Sequence, residues 1–236
     1  MSSQITFEAI ERLVNVDHNK QQKTIMLMLF SSSLTGAQIK NLKFDDVLAA
    51  CDHFFTDAQE KTIENLTRIK PIEDNLVPFF DTSTKSQQRV ACCTPEATQY
   101  LFWHINMRRE RTFKHKTNYV FVTKSGKKLG TNYIPDLFSD SRNAIEVYDN
   151  CEFPNITAED LTANFINICE HCLYGSKSYH VIKLIKGNRN NAQVENFYND
   201  ALNNRKLFTN EYLKISNIFT IHEDNKHDLK FDAPME

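Results

Sequence analysis

The spacing of apolar positions predicts helices at the start of the chain. Residues 6–16 carry apolar side chains at helical intervals and predict an amphipathic helix. Residues 20–33 are more continuously apolar and predict a buried helix. A short third helix is predicted at 37–42, and residues 44–47 are predicted to lead into a strand.

Beyond residue 50 the pattern predicts one small sheet among further helices. Residues 75–80 and 88–92 read as the two strands of a hairpin, and residues 119–123 as another strand. Residues 57–74 are polar and predict a loop or a surface helix. Further helices are predicted at 94–111, 132–147, 156–173, 178–186 and 192–203. The predicted fold class is therefore mainly α with a small antiparallel β-sheet (α+β).

Composition is that of a globular protein, with 41% hydrophobic and 25% charged residues. No apolar run reaches the length of a membrane span. We expect one domain at residues 1–222 and a charged, flexible tail at 223–236. With only five glycines in the chain, a glycine-rich phosphate loop is nearly excluded.

The six cysteines lack the spacing of secreted disulfide scaffolds, and the N-terminus lacks a signal pattern. We therefore expect thiols in a reducing compartment and a cytoplasmic, nucleoid or nuclear location. Cys169 and Cys172 have a zinc-like CxxC spacing, but no second pair lies at finger spacing. The favoured interpretation is two buried, small apolar residues, with no metal or cofactor.

Several segments stand in the order and spacing of a known domain. They are ITFEAIERLV, LFSSSLTGAQIKNLKFDDV, TSTKSQQRVACCTPEATQYL, TNYVFVTKSGKKLGTNYIPDLF, ITAEDLTANFINICEHCLYG, VIKLIKGNRNNAQVENFYND and NRKLFTNEYLKISNIFTI. Together they resemble the catalytic domain of the tyrosine recombinases (phage-integrase family), and the last is similar to the closing helix of archaeal-type integrases. The resemblance implies that fold, and we expect the chain to begin at the catalytic domain, without the usual N-terminal core-binding domain.

The resemblance also implies which positions would carry the chemistry. In the family a tyrosine attacks a DNA phosphodiester, two arginines clamp the phosphate, and a lysine protonates the leaving oxygen. Tyr198 falls near the nucleophile position and Lys85 at the general-acid position in the hairpin turn. The remaining family positions carry other residues: Thr35 and Thr162 for the two arginines, Glu159 for a basic residue, and Asn188 for a histidine.

These replacements predict a loss of strand cleavage. Removing one preorganised anion-stabilising donor typically costs about 10²–10³-fold in rate. Arg89 and Arg189 are the nearest substitutes in sequence. The plainer interpretations are that Tyr198 is a packing residue and that Lys85 is solvated or contacts phosphate without catalysis.

A dense basic run, RRERTFKHK, and a basic turn at 124–128 could together form a phosphate-binding stripe. The alternative is a solvated helix end, where cations favour the helix dipole. A net charge of −2 requires the acids to collect elsewhere for a positive face to exist. The DNA-binding candidates are Lys85, Arg89, Arg108, Arg109, Arg111, Lys114, Lys116, Lys124, Lys127, Lys128 and Arg189.

Two function classes follow from the sequence. The first is a catalytically degenerate recombinase-like protein that binds DNA as an architectural or accessory factor in recombination or genome maintenance. The second is a protein-interaction module, because the family's C-terminal helix packs on a neighbouring protomer, which predicts trans packing through residues 207–219. An active recombinase that forms a phosphotyrosyl link at Tyr198 is the third reading.

Overall fold

The computed structural model describes residues 5–16, 18–56, 58–173, 175–187 and 192–221. These residues form α-helices and one two-stranded antiparallel sheet. The helices are α1 (Phe7–Asn15), α2 (Lys20–Ser31), α3 (Gly36–Lys40), α4 (Phe44–Ala50), α5 (Ile63–Leu66), α6 (Pro71–Asp74), α7 (Pro95–Glu110), α8 (Tyr133–Asp149), α9 (Ala158–Cys172), α10 (Ser176–Lys186), α11 (Ala192–Asn203) and α12 (Arg205–Ser216). The strands are β1 (Phe80–Asp81) and β2 (Val90–Ala91). The predicted fold class is confirmed.

Helix α2 is the centre of the core. Its residues from Thr24 to Ser31 are all buried. An Asn19–Gln22 capping box starts the helix, which then packs against α1, α7 and α9. The apolar run of α2 covers all sides of the helix because neighbouring helices bury it on several sides.

The predicted hairpin is present, but its paired part is short. Phe80 pairs with Ala91 and Asp81 with Val90. The loop between them closes through a bridge of Thr84 with Gln87. The pairing is shorter than the predicted strands at 75–80 and 88–92.

Two predicted strands are wrong. Residues 44–47 belong to helix α4, whose first turn holds Asp45 and Asp46. Asp46 accepts a hydrogen bond from the Lys43 backbone nitrogen (2.9 Å), and carboxylates favour a helix N-terminus. Residues 119–123 make only isolated bridges, Lys43 with Tyr119 and Val122 with Lys128.

The C-terminal helix packs onto the core of its own chain. Phe208 lies edge-on to Phe79, with ring centroids 5.4 Å apart, and the Tyr212 hydroxyl donates to the Ser31 carbonyl. Phe219, just after the helix, contacts the ring of Phe30. The buried apolar residues of 207–219 therefore pack in cis, whereas Ile218 is 37% exposed and Leu207 and Leu213 are only partly buried. Trans packing through this segment stays a prediction.

The predicted tail at 223–236 lies outside the described residues. Among the helices that the structure describes, none is both long and apolar enough to cross a membrane.

Candidate active site and basic surface

Thr35 lies in the turn between α2 and α3 and is the N-cap residue of α3. Its hydroxyl accepts from the Gln38 backbone nitrogen (3.2 Å) and donates to Oε1 of the same glutamine (3.1 Å). The Thr35 nitrogen donates back to Oε1 (2.9 Å), which completes a capping box. The hydroxyl is therefore engaged in its own helix.

Thr162 is engaged in the same way on α9. Its hydroxyl donates to the Ala158 carbonyl one turn earlier (3.0 Å). Asp160 forms a capping box with Thr157 at the helix start, whereas Glu159 is exposed.

The turn that carries Thr35 and the segment that carries Glu159 and Thr162 meet at a close approach of helices. A Cβ added to Gly36 would lie 3.2 Å from Cγ2 of Ile134 and 3.7 Å from Cβ of Ala158. The start of α3 therefore packs directly on the start of α9. The structure brings the Thr35 turn beside the α9 segment that carries Glu159 and Thr162.

Tyr198 lies on α11 with its side chain against the hairpin. The residue is 9% exposed, and its hydroxyl donates to Asp81 Oδ2 (2.8 Å). Asp81 Oδ1 in turn accepts from the Ser83 backbone nitrogen (3.0 Å). Burial raises the pKa of Tyr198, and the Asp81 carboxylate adds to the rise while a hydrogen bond with Ser83 opposes it. Sequence reasoning missed Asp81 because only the folded chain brings it to the tyrosine.

The hairpin is also held to the end of α10. Gln87 Nε2 donates to the carbonyl of Gly187 (3.0 Å), the residue that follows this helix. Gly187 has φ +82°, and a Cβ there would come within 2.1 Å of Gln87 Nε2. Lys85 sits exposed at the hairpin turn and makes no hydrogen bond or ion pair with a described residue.

Arg89 leaves the hairpin toward the turn between α2 and α3. Its Nη2 donates to the carbonyl of Ser33, two residues before Thr35. Its backbone nitrogen donates to the Ser83 hydroxyl oxygen (3.0 Å). Two further candidate residues, Asn188 and Arg189, lie outside the described residues.

A cavity of about 450 Å³ opens beside these residues, between α3, α4 and the hairpin. Asp46 and Asp81 contribute carboxylates to its lining, and Arg205 contributes a guanidinium. Arg205, however, donates to the Ala49 carbonyl and lies 5.5 Å from the centroid of the Phe79 ring. The cavity is therefore lined by two carboxylates and by one guanidinium, that of Arg205, which already has partners within the fold.

Two of the predicted DNA-binding arginines have partners within the fold. Arg108 is 8% exposed and donates to the carbonyls of Tyr119 (3.3 Å) and Thr117 (3.1 Å). Its guanidinium also lies 4.6 Å from the centroid of the Phe113 ring. Arg109 forms an ion pair with Glu64 at 3.7 Å.

Six other predicted cations share one exposed region. The His115 nitrogen donates to the Ser125 carbonyl (3.1 Å) and the Thr117 hydroxyl to the Gly126 carbonyl (3.3 Å). These bonds hold the segment 111–117 against the turn 123–128. None of the six forms an ion pair with a carboxylate in the described chain. We call them the basic surface: Arg111, Lys114, Lys116, Lys124, Lys127 and Lys128.

The two cysteines of the CxxC pair differ in burial. Cys169 is buried, as predicted, and burial raises the pKa of its thiol. The prediction for Cys172 is wrong, because this residue ends α9 and is exposed. Within the described ranges, no group of three or more His, Cys, Asp or Glu residues is placed to hold a metal ion.

Comparison with known proteins identifies the fold. No family model matches the chain. Tyrosine recombinase XerA of Pyrococcus horikoshii is 28% identical over 131 residues, which cover 56% of this chain and 42% of that protein. A crystal structure of XerA recombinase matches 89% of this chain and 65% of its own, with a TM-score of 0.55 and 15% identity. The chain thus spans less than half of its curated relative, and its fold is tyrosine recombinase-like.

Proposed function

We propose that this tyrosine recombinase-like domain binds DNA without cleaving it, as an architectural or accessory factor in recombination or genome maintenance. The likeness to tyrosine recombinases in sequence and fold supports DNA as the partner. The observation that carries the absence of cleavage is the hydrogen bond from the Tyr198 hydroxyl to the Asp81 carboxylate. A nucleoid or nuclear location follows from this proposal.

The environment of Tyr198 disfavours attack on a phosphodiester. A phenol must lose its proton to become a good nucleophile, and the raised pKa makes that loss harder. The Asp81 carboxylate would also repel the phosphate. Two like charges about 4 Å apart repel by about 4 kcal/mol at an effective dielectric constant of about 20.

The donors that a transition state would need have other partners. The hydroxyls of Thr35 and Thr162 are bonded within their own helices. Neither is a planar cation that could offer two parallel donors to a phosphate. The two threonines therefore supply no positive charge to a phosphoryl transition state, which argues against cleavage.

The basic surface supports binding to the DNA backbone. Its six side chains are exposed and free of described carboxylate partners, so their charges are available to phosphates. Lys and Arg contacts to phosphates release counterions and give affinity that is largely independent of sequence. The proposed binding is therefore to duplex DNA, with phosphates as the main contacts.

Covalent trapping tests the absence of cleavage. A pool of nicked suicide duplexes of randomised sequence is incubated with the wild type and with Tyr198→Phe, and denaturing gels detect protein linked to DNA. We expect no adduct from either protein, although both retain DNA binding. An adduct from the wild type that Tyr198→Phe does not form would establish an active nucleophile and refute the proposal.

A further inference from the structure

The guanidinium of Arg89 is half-buried and incompletely partnered. Nη2 donates to the Ser33 carbonyl, but Nε is buried without a hydrogen-bond partner among the described residues. No described carboxylate forms an ion pair with it. Burial lowers the pKa of this group, with no opposing contribution from an acid.

A negatively charged acceptor would stabilise this arrangement. A cation withdrawn from water loses hydration, and a buried N–H without an acceptor adds to the cost. A phosphate oxygen would supply both the opposite charge and the acceptor. The planar fork of a guanidinium matches phosphate geometry with two parallel hydrogen bonds.

Arg89 contacts both the turn before Thr35 and the hairpin residue Ser83, which bonds with Tyr198. Its side chain reaches the turn that ends at Thr35, where the family resemblance implies an arginine. Its backbone carbonyl accepts from the Ser83 hydroxyl (3.2 Å), and Ser83 also bonds with Tyr198. The guanidinium of Arg89, a hairpin residue, therefore lies beside the turn at which Thr35 replaces the family's arginine.

We propose that Arg89 is an anion-binding residue that holds one phosphate of the DNA backbone beside the turn between α2 and α3. This inference rests on the proposed DNA-binding function and assigns to Arg89 the phosphate contact at the turn where the family resemblance implies an arginine. The contact orients DNA on the domain and involves no covalent step.

Inorganic phosphate is the first probe, because it tests the site without DNA. Thermal unfolding is measured in phosphate and in chloride at equal ionic strength for the wild type, Arg89→Gln and Arg89→Lys. A ligand that binds only the folded state raises the melting temperature. We expect phosphate to raise the melting temperature most for the wild type, less for Arg89→Lys and least for Arg89→Gln, whose remaining rise comes from the basic surface and from the general stabilising effect of phosphate salts.

An equal rise for the wild type and both variants would overturn the inference, as would no rise for the wild type. If Arg89→Gln fails to fold, Arg89→Lys carries the test, because it keeps the charge and loses the fork. A phosphate response of Arg89→Lys equal to that of the wild type then counts against the inference.

DNA binding is the second probe and separates the two proposals. Affinity for a short duplex is measured between 50 and 200 mM salt, with Arg68→Gln as a control that removes one exposed arginine charge already paired with Glu64. We expect Arg89→Gln to weaken binding several-fold and to reduce the salt slope by about 1. Unchanged affinity and slope in Arg89→Gln would overturn the role of Arg89 and leave the DNA-binding proposal intact. No DNA binding by the wild type would overturn both.

Discussion

At the scale of single residues, the pair Tyr198 and Asp81 decides how the candidate site behaves. The resemblance to the recombinases points to Tyr198 from sequence, but it does not point to its partner. The two residues are 117 positions apart and meet only because α11 packs on the hairpin. Burial is the main cause that raises the pKa of Tyr198, and the negative charge of Asp81 adds to it, so the phenolate is disfavoured at neutral pH.

Removing the carboxylate should lower the pKa of Tyr198. In Asp81→Asn the negative charge that disfavours the phenolate is gone, so the hydroxyl should titrate at a lower pH than in the wild type. NMR of ring-labelled tyrosine, with the resonance assigned by Tyr198→Phe, measures the shift. Asp140→Asn removes an exposed carboxylate on α8 and serves as the control. An unchanged pKa in Asp81→Asn would show that Asp81 does not control this hydroxyl.

His104 should make stability depend on pH. It is 7% exposed and donates from Nε2 to the Val120 carbonyl (3.1 Å), and burial is the main cause that lowers its pKa to about 4. The unfolded chain, with a pKa near 6.5, binds more protons between these values. The contribution is therefore full above pH 6.5 and falls by up to about 3 kcal/mol as the pH drops toward 4.

The measurement is urea unfolding between pH 7 and 4 for the wild type and His104→Gln. The glutamine amide can donate to the same carbonyl but does not titrate. The free energy of unfolding of His104→Gln should therefore fall less steeply as the pH is lowered than that of the wild type. Parallel curves would mean that His104 is not held neutral by the fold. His53, whose pKa burial also lowers to about 4, titrates in both proteins and cancels in the comparison.

At the scale of elements, sequence patterns worked where local signals and packing agree. The buried helix α2 was predictable from its apolar run, and α7 from a threonine cap followed by Pro95. The prediction failed at 44–47, where a short apolar pattern outweighed the acidic pair that favours a helix start. It also failed at 119–123, because no neighbouring segment continues the pairing beyond single bridges.

Helix α12 provides the element-scale prediction. Phe208 is fully buried against Phe79, so Phe208→Ala should lower the free energy of unfolding by about 3–5 kcal/mol. Leu207→Ala, at a more exposed position on the same helix, should cost less. Because the packing is in cis, the unfolding midpoint should not change with protein concentration. A midpoint that rises with concentration would support trans packing through 207–219 instead.

At the scale of the whole molecule, the arrangement of charge matters more than its sum. The net charge of −2 argues against a generally basic DNA-binding protein. The fold nevertheless joins two basic stretches of sequence into one exposed surface through the contacts of His115 and Thr117 with the following turn. Sequence alone could predict the two stretches, but not that Arg108 would be buried against backbone carbonyls or that the exposed Arg109 would lie beside Glu64.

DNA affinity measured as a function of salt tests whether the basic surface binds DNA. The proteins compared are the wild type, the triple variant Lys124→Gln, Lys127→Gln, Lys128→Gln, and a control with the same change in net charge, Lys61→Gln, Arg68→Gln, Lys70→Gln. The control cations are each paired with a nearby carboxylate.

We expect wild-type affinity to fall steeply between 50 and 200 mM salt, and the basic-surface variant to lose about 2–3 units of the slope of log affinity against log salt. The control should keep the wild-type slope. Absence of wild-type binding at 50 mM salt, or equal slopes in all three proteins, would contradict the claim that this domain binds DNA through its basic surface.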